Sequence, residues 1–131
     1  MKKFYLTATI LYAVLLFFSC SKSSVTPKKG SEPLIEYAFT ANVPGDYEIS
    51  FTNQEGKNQT ITVYSGLAYS TKFSLEEVGM VGLNFTVKDT NGAVSNDTMS
   101  ISINGSIVKS ANFSMSSTNN SYTINTNYNN Q

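Results

Sequence analysis

VGLNFTVKDTNGAVSNDTMSISINGSIVKS, residues 81–110, decides the fold. Val81, Leu83, Phe85 and Val87 are apolar, Asn84, Thr86 and Lys88 between them are polar, and Met99, Ile101 and Ile103 repeat the alternation. A period of two marks an extended strand with one buried face, because successive side chains leave opposite sides of the pleat. Asn104-Gly105 then interrupts the pattern. Both residues tolerate the positive φ that a two-residue hairpin turn requires, so the chain is expected to reverse there. The returning segment, Ser106 to Phe113, alternates less cleanly because Ile107 and Val108 are adjacent, which predicts a bulge or an edge strand.

The same alternation continues on both sides. Upstream lie Ile35, Tyr37, Phe39 and Ala41, then Tyr47, Ile49 and Phe51 after a Pro44-Gly45 turn, then Ile61 and Val63, then Tyr69, Phe73 and Leu75. Downstream come Tyr122, Ile124, Thr126 and Tyr128. Gln54-Glu55-Gly56-Lys57 and Asp89-Thr90-Asn91-Gly92 carry the residue types of tight turns. Ser74-Leu75-Glu76-Glu77 resembles a capping box, but no window holds a helical period, and one turn at most fits before Gly79. Seven to eight short strands with turns every 8 to 12 residues predict an all-β fold, an antiparallel two-sheet β-sandwich, with a small closed barrel as the alternative.

The beginning of the chain reads as an address. Lys2 and Lys3 precede a mostly apolar run from Phe4 to Phe18, too short for a membrane span, and Ser19 offers a small residue at a cut site. Cys20, the one cysteine, follows directly. The pattern resembles a bacterial lipobox of the looser form used by the Bacteroides group, with Phe17 in place of the usual leucine. That resemblance implies cleavage after residue 19 and acylation of Cys20, which anchors the protein to a membrane with more than one acyl chain. Residues 20–33, SKSSVTPKKGSEP after the cysteine, have the composition of a flexible tether, and residues 34–131 form the folded domain. Surface-exported lipoproteins of that group often carry acidic residues just after the cysteine. Their absence here favours the periplasmic face of the outer membrane over the cell surface.

Composition excludes more than it includes. The chain has no His, Arg or Trp. Without His the usual general base and the commonest metal ligand are missing, so catalytic triads, zinc sites and haem sites are excluded. After Cys20, seven lysines face nine carboxylates, so no basic surface exists for nucleic acid. Acylation of Cys20 leaves no thiol for a disulfide, a nucleophile or a metal. No cofactor is expected.

Asp46–Gly56, DYEISFTNQEG, and Phe85–Phe113, FTVKDTNGAVSNDTMSISINGSIVKSANF, followed by a Tyr-bearing last strand, resemble small bacterial lipoproteins with an immunoglobulin-like sandwich. In layout they are similar to MmpS-type accessory proteins, whose relatives assist membrane transporters of lipid-like cargo. The resemblance implies an immunoglobulin-like fold and an accessory role in an envelope complex; it carries no catalytic motif.

Several residues invite a sharper reading. Asp89-Thr90-Asn91-Gly92, with Asp97, has the oxygen donors of a calcium loop, but the glycine falls fourth instead of sixth and no late Glu follows, so a hairpin turn is expected and no metal. Glu76 and Glu77, and Asp46 and Glu48, are paired carboxylates with no sign of a cleft, so they are expected to be solvated and the protein not an enzyme. Tyr64 shares a strand face with Thr60 and Thr62 and is the candidate ligand contact. Asp97-Thr98-Met99 is similar to the O-glycan acceptor of Bacteroides-type organisms, which makes Thr98 the candidate modified residue. The Asn-rich segment after Ser117 has the low charge of an edge open to strand addition. The sequence therefore predicts a non-enzymatic, lipid-anchored accessory or binding module, with carbohydrate binding or a structural, adhesive role as alternatives.

Overall fold

The computed structural model describes residues 31–92 and 94–131. The expected signal, Cys20 and the tether up to residue 30 lie outside the described residues. Six antiparallel strands follow: β1 Leu34–Thr52, β2 Asn58–Ser74, β3 Gly79–Asp89, β4 Ser95–Ile103, β5 Ser106–Met115 and β6 Ser121–Asn130. They form one sheet in the order β5-β4-β1-β3-β6, with β2 also paired to β1.

Six strands replace the seven to eight expected because two pairs of expected strands are each continuous through a bend. Pro44-Gly45 does not reverse the chain. β1 runs through it for 19 residues, and β2 accompanies it from Leu34↔Ser74 to Thr52↔Asn58, with the register shifting between Thr40 and Gly45 and again before Tyr47. Pro44 has no N–H to give to a ladder, so a pairing gap there costs little. The second bend falls in β2, where Ser65 holds a φ of 49° and its N–H donates to Asp46 Oδ1 at 2.7 Å.

This bent two-stranded ribbon organises the rest. The edge of β1 not used by β2 is divided: Ile35–Ala41 pairs with β4, and Tyr47–Phe51 pairs with β3. β5 then extends the sheet beyond β4, and β6 extends it beyond β3. Folded at the bend, the antiparallel sheet encloses its apolar face and nearly closes into a barrel. The rings of Phe113 on β5 and Tyr122 on β6 stack at 4.5 Å with planes 9° apart where those strands approach.

The inward faces are those read from the alternation. Ile35, Tyr37, Phe39, Ile49, Leu83, Phe85, Val87, Met99 and Ile101 are all 2 % exposed or less. Tyr37 lies at the centre, 5.2 Å from the Phe85 ring, 5.5 Å from Phe51 and 6.0 Å from Phe73. Each such side chain stabilises the fold by about 1.5–3 kcal/mol through burial, and offset aromatic pairs add about 0.5–1.5 kcal/mol.

Asn104 and Gly105 take positive φ values of 51° and 82°, the signature of the expected hairpin turn, and join β4 to β5. The irregularity expected in the returning strand is present as well: Ile101 faces Lys109 while Ser102 faces Ile107, so Val108 is the extra residue on an outer strand. Asp89–Gly92 turns the chain as expected, yet not as a hairpin. β3 and β4 do not pair with each other; both pair with β1, and the turn carries the chain from one half of the folded sheet to the other. Residues 75–78 contain no helix.

Candidate functional site

Folding the β1–β2 ribbon has a consequence for β2. Its partner β1 is covered on both edges, while β2 pairs on one edge only and is the outer strand of both halves. The inward side chains of β2 are therefore half-buried, unlike those of β1. Where the two arms of β2 face one another, they leave a cleft of about 350 Å³ lined by Phe51, Asn53, Gln54, Gln59, Ile61, Tyr69, Thr71 and Phe73.

Each wall has a simple origin. Phe51 ends the buried row of β1, and its ring lies 6.2 Å from Tyr69 and 6.3 Å from Phe73, stacked on the latter. Tyr69, Thr71 and Phe73 share one face of β2 by the strand period, opposite Phe39, Tyr37 and Ile35 of β1 in register. Burial pushes the Tyr69 phenol up from its ordinary value, and the Thr71 hydroxyl beside it partly offsets this. The floor near Asn53 is set by the turn that joins the strands. Asn53 Oδ1 accepts from the N–H groups of Glu55 and Lys57, each at 3.0 Å, and its own N–H donates to the Lys57 carbonyl. This side-chain cap fixes Gln54 at the mouth. Gly56 completes the turn at a φ of 73°.

No lining residue is charged at neutral pH. The nearby ion pairs, Lys57 with Glu55 at 2.8 Å and Lys72 with Glu36 at 3.3 Å, are formed by residues outside the lining. The cleft offers three aromatic rings, one aliphatic side chain, three primary amides and two hydroxyls. It can stack on apolar faces and exchange hydrogen bonds with neutral polar groups, but it has no acid and base for proton transfer near pH 7. Its volume is at the small end of the ligand-pocket range of about 300–1,000 Å³.

Tyr64 is not in this cleft. It is 76 % exposed and lies on the opposite face of β2 with Thr60 and Thr62, near the bend. Thr98 is exposed on β4 between Thr40 and Asn112 and borders a shallow outer groove of about 260 Å³. Its neighbours Asp97 and Met99 are 1 % and 2 % exposed and face inward, so the Asp-Thr-Met tripeptide is not accessible as a unit in the folded sheet. Of the paired carboxylates, Asp46 ties the bend, its carboxylate taking the Ser65 N–H and its carbonyl taking the Thr90 N–H and hydroxyl, and Glu48 lies across from Lys88. Glu76 and Glu77 are exposed.

The residues that were not foreseen as a group are Phe51, Tyr69 and Phe73. Each reads as an ordinary inward strand residue. The signal in the sequence is that the inward row of β2 mixes Gln59 and Thr71 with Ile61, Tyr69 and Phe73, as expected of an outer strand whose inner face is partly open. Protein-family models, curated proteins and solved structures contain no match to this chain.

Proposed function

We propose that this chain is a non-enzymatic lipoprotein, anchored through Cys20 at the periplasmic face of the outer membrane, that works as an accessory or binding module and takes its ligand in the cleft between the arms of β2. The observation that carries the reading is the lining: the half-buried rings of Tyr69 and Phe73, over the buried Phe51, converge with three amides, with no charged group and no acid–base pair. Among ligands for a binding module, a neutral glycan fits this chemistry, since the C–H faces of sugar rings can stack on Tyr69 or Phe73 while hydroxyls pair with Asn53, Gln54 and Gln59. The two halves of the folded sheet, facing each other across one core, support an immunoglobulin-like sandwich as the architecture, and the resemblance to transport accessory proteins supports an envelope complex as the setting.

A structural role by strand addition is the second reading. It is favoured by the free outer edge of β2, 17 residues long with Lys72 as its one charge.

Affinity electrophoresis through gels containing neutral polysaccharides tests the first reading. Retardation that Phe73→Ala abolishes and Tyr64→Ala preserves supports it. Absence of retardation by every neutral glycan removes the glycan ligand. Detergent-resistant oligomers would favour strand addition. The anchor is tested separately: Cys20→Ala should leave the membrane fraction, and its retention there would contradict acylation.

A further inference from the structure

Two carboxylates are buried at the bend end of the core, away from the cleft. Asp89, the last residue of β3, is 0 % exposed, and Asp97 of β4 is 1 % exposed. One oxygen of each is accounted for. Asp89 Oδ1 accepts from the N–H groups of Asn91 at 2.7 Å and Gly92 at 3.2 Å, and Asp97 Oδ2 accepts from the Ser95 hydroxyl at 2.7 Å. The other two, Asp89 Oδ2 and Asp97 Oδ1, are buried with no hydrogen-bond partner, and the Asn42 backbone N–H favours the charged form of the Asp97 carboxylate.

The surroundings draw these atoms into one constellation. Asp89 is the cross-strand neighbour of Tyr47. The Tyr47 phenol donates to the Val43 carbonyl at 3.0 Å, and its ring meets that of Phe39, the cross-strand neighbour of Met99, two residues from Asp97. Burial raises both the Tyr47 phenol and the Asp97 carboxyl above their ordinary values, and the Asp89 charge pushes each in the same direction. The ion pairs of Lys57 and Lys72 involve other carboxylates, Glu55 and Glu36. Each carboxylate keeps one buried oxygen without a hydrogen-bond partner, and buried charge that is incompletely compensated costs several kcal/mol, so the pair favours a positive charge beside it.

We propose that Asp89 and Asp97, with the Ser95 hydroxyl, hold a divalent, oxygen-seeking cation such as calcium that ties the β3–β4 turn to the bend in β1. The donors are all hard oxygens, two carboxylates neutralise a divalent ion, and the chain has no imidazole to attract a softer metal. The spacing argument against a calcium loop does not apply, because these donors come from two strands and not from one loop.

Terbium, a calcium substitute, tests this on the full chain. The chain lacks Trp, so sensitised emission must come from tyrosine, and Tyr47 is the cross-strand neighbour of Asp89. The proposal expects saturable emission that calcium displaces, a loss of affinity of at least about tenfold in Asp89→Asn and Asp97→Asn, and in Tyr47→Phe a loss of emission with calcium binding retained. With the millimolar affinity common for extracellular calcium sites, 10 mM calcium should raise the wild-type Tm by roughly 5–15 °C over chelator. The proposal is overturned if terbium emission does not saturate or calcium leaves Tm unchanged. It is equally overturned if Asp97→Asn raises Tm alike in chelator and in calcium, the behaviour of a carboxyl that carries a proton instead of facing a cation.

Discussion

Gly45→Ala is expected to destabilise the protein by about 2 kcal/mol, and the structure says where the loss comes from. A methyl carbon at Gly45 would lie 2.8 Å from the Tyr47 Oη, 2.9 Å from Cζ and 3.2 Å from Cε2. Tyr47 cannot withdraw freely: it is 1 % exposed, the Phe39 ring meets it edge-on at 4.8 Å, and its phenol holds the Val43 carbonyl. Forcing a methyl into such a contact costs about 1–3 kcal/mol, and loss of the phenol's hydrogen bond adds about 1 kcal/mol. The lower entropy of the unfolded chain returns about 0.4–1 kcal/mol. For a domain of about 100 residues the net change corresponds to a Tm lower by roughly 8–16 °C. Urea unfolding of Gly45→Ala, Tyr47→Leu and the double variant isolates the contact. The cost of the alanine should fall by at least about 1 kcal/mol once the ring is gone. An equal cost in both backgrounds, or a cost below about 0.5 kcal/mol in the wild type, would refute the view that the bend closes by packing Tyr47 over Gly45.

Three further outcomes follow from single side chains. Tyr37 is fully buried with no well-formed hydrogen bond to its hydroxyl, so Tyr37→Phe should be neutral or stabilising by up to about 1 kcal/mol at pH 7 in urea titrations; a loss above that would mean the hydroxyl is paired. Burial also raises its phenol above the ordinary 10.0, so the stability that depends on its neutral form is complete below pH 10 and is lost as pH rises further, because the unfolded chain ionises first; Tyr37→Phe should move the alkaline unfolding midpoint upward, and an unchanged midpoint would count against this. Thr52 continues the ladder beyond the last β1–β3 backbone pair, its hydroxyl donating to the Gly82 carbonyl at 3.0 Å and accepting the Asn84 N–H at 2.9 Å, so Thr52→Val should cost about 2 kcal/mol in chemical denaturation, whereas a neutral outcome would mean water replaces it.

The alternation of apolar residues made the strands, the inward faces and the Asn104-Gly105 hairpin legible, since those depend on local geometry. The bend was not. Pro44-Gly45 has the composition of a reversing turn, and only the divided outer edge of β1, shared by β4 and β3 from distant parts of the chain, makes it a bend within one strand. The cleft depends on that bend, because it brings Gln59 and Ile61 opposite Tyr69, Thr71 and Phe73; no spacing along the sequence encodes their approach. Asp89 and Asp97 are a different case. Asp89 is in phase with Phe85 and Val87, and Asp97 with Met99 and Ile101, so their inward direction was present in the pattern. Turn chemistry at Asp89 and the Asp-Thr-Met tripeptide at Asp97 gave each a separate local reading that concealed their common burial.

Amide chemical-shift mapping with neutral oligosaccharides tests whether ligand enters between the arms of β2. Saturable shifts are expected, confined to residues 51–54, 59–61 and 69–73 and absent in Phe73→Ala. Shifts centred on Tyr64 and the outer face of β2, or none with any neutral oligosaccharide, would contradict it.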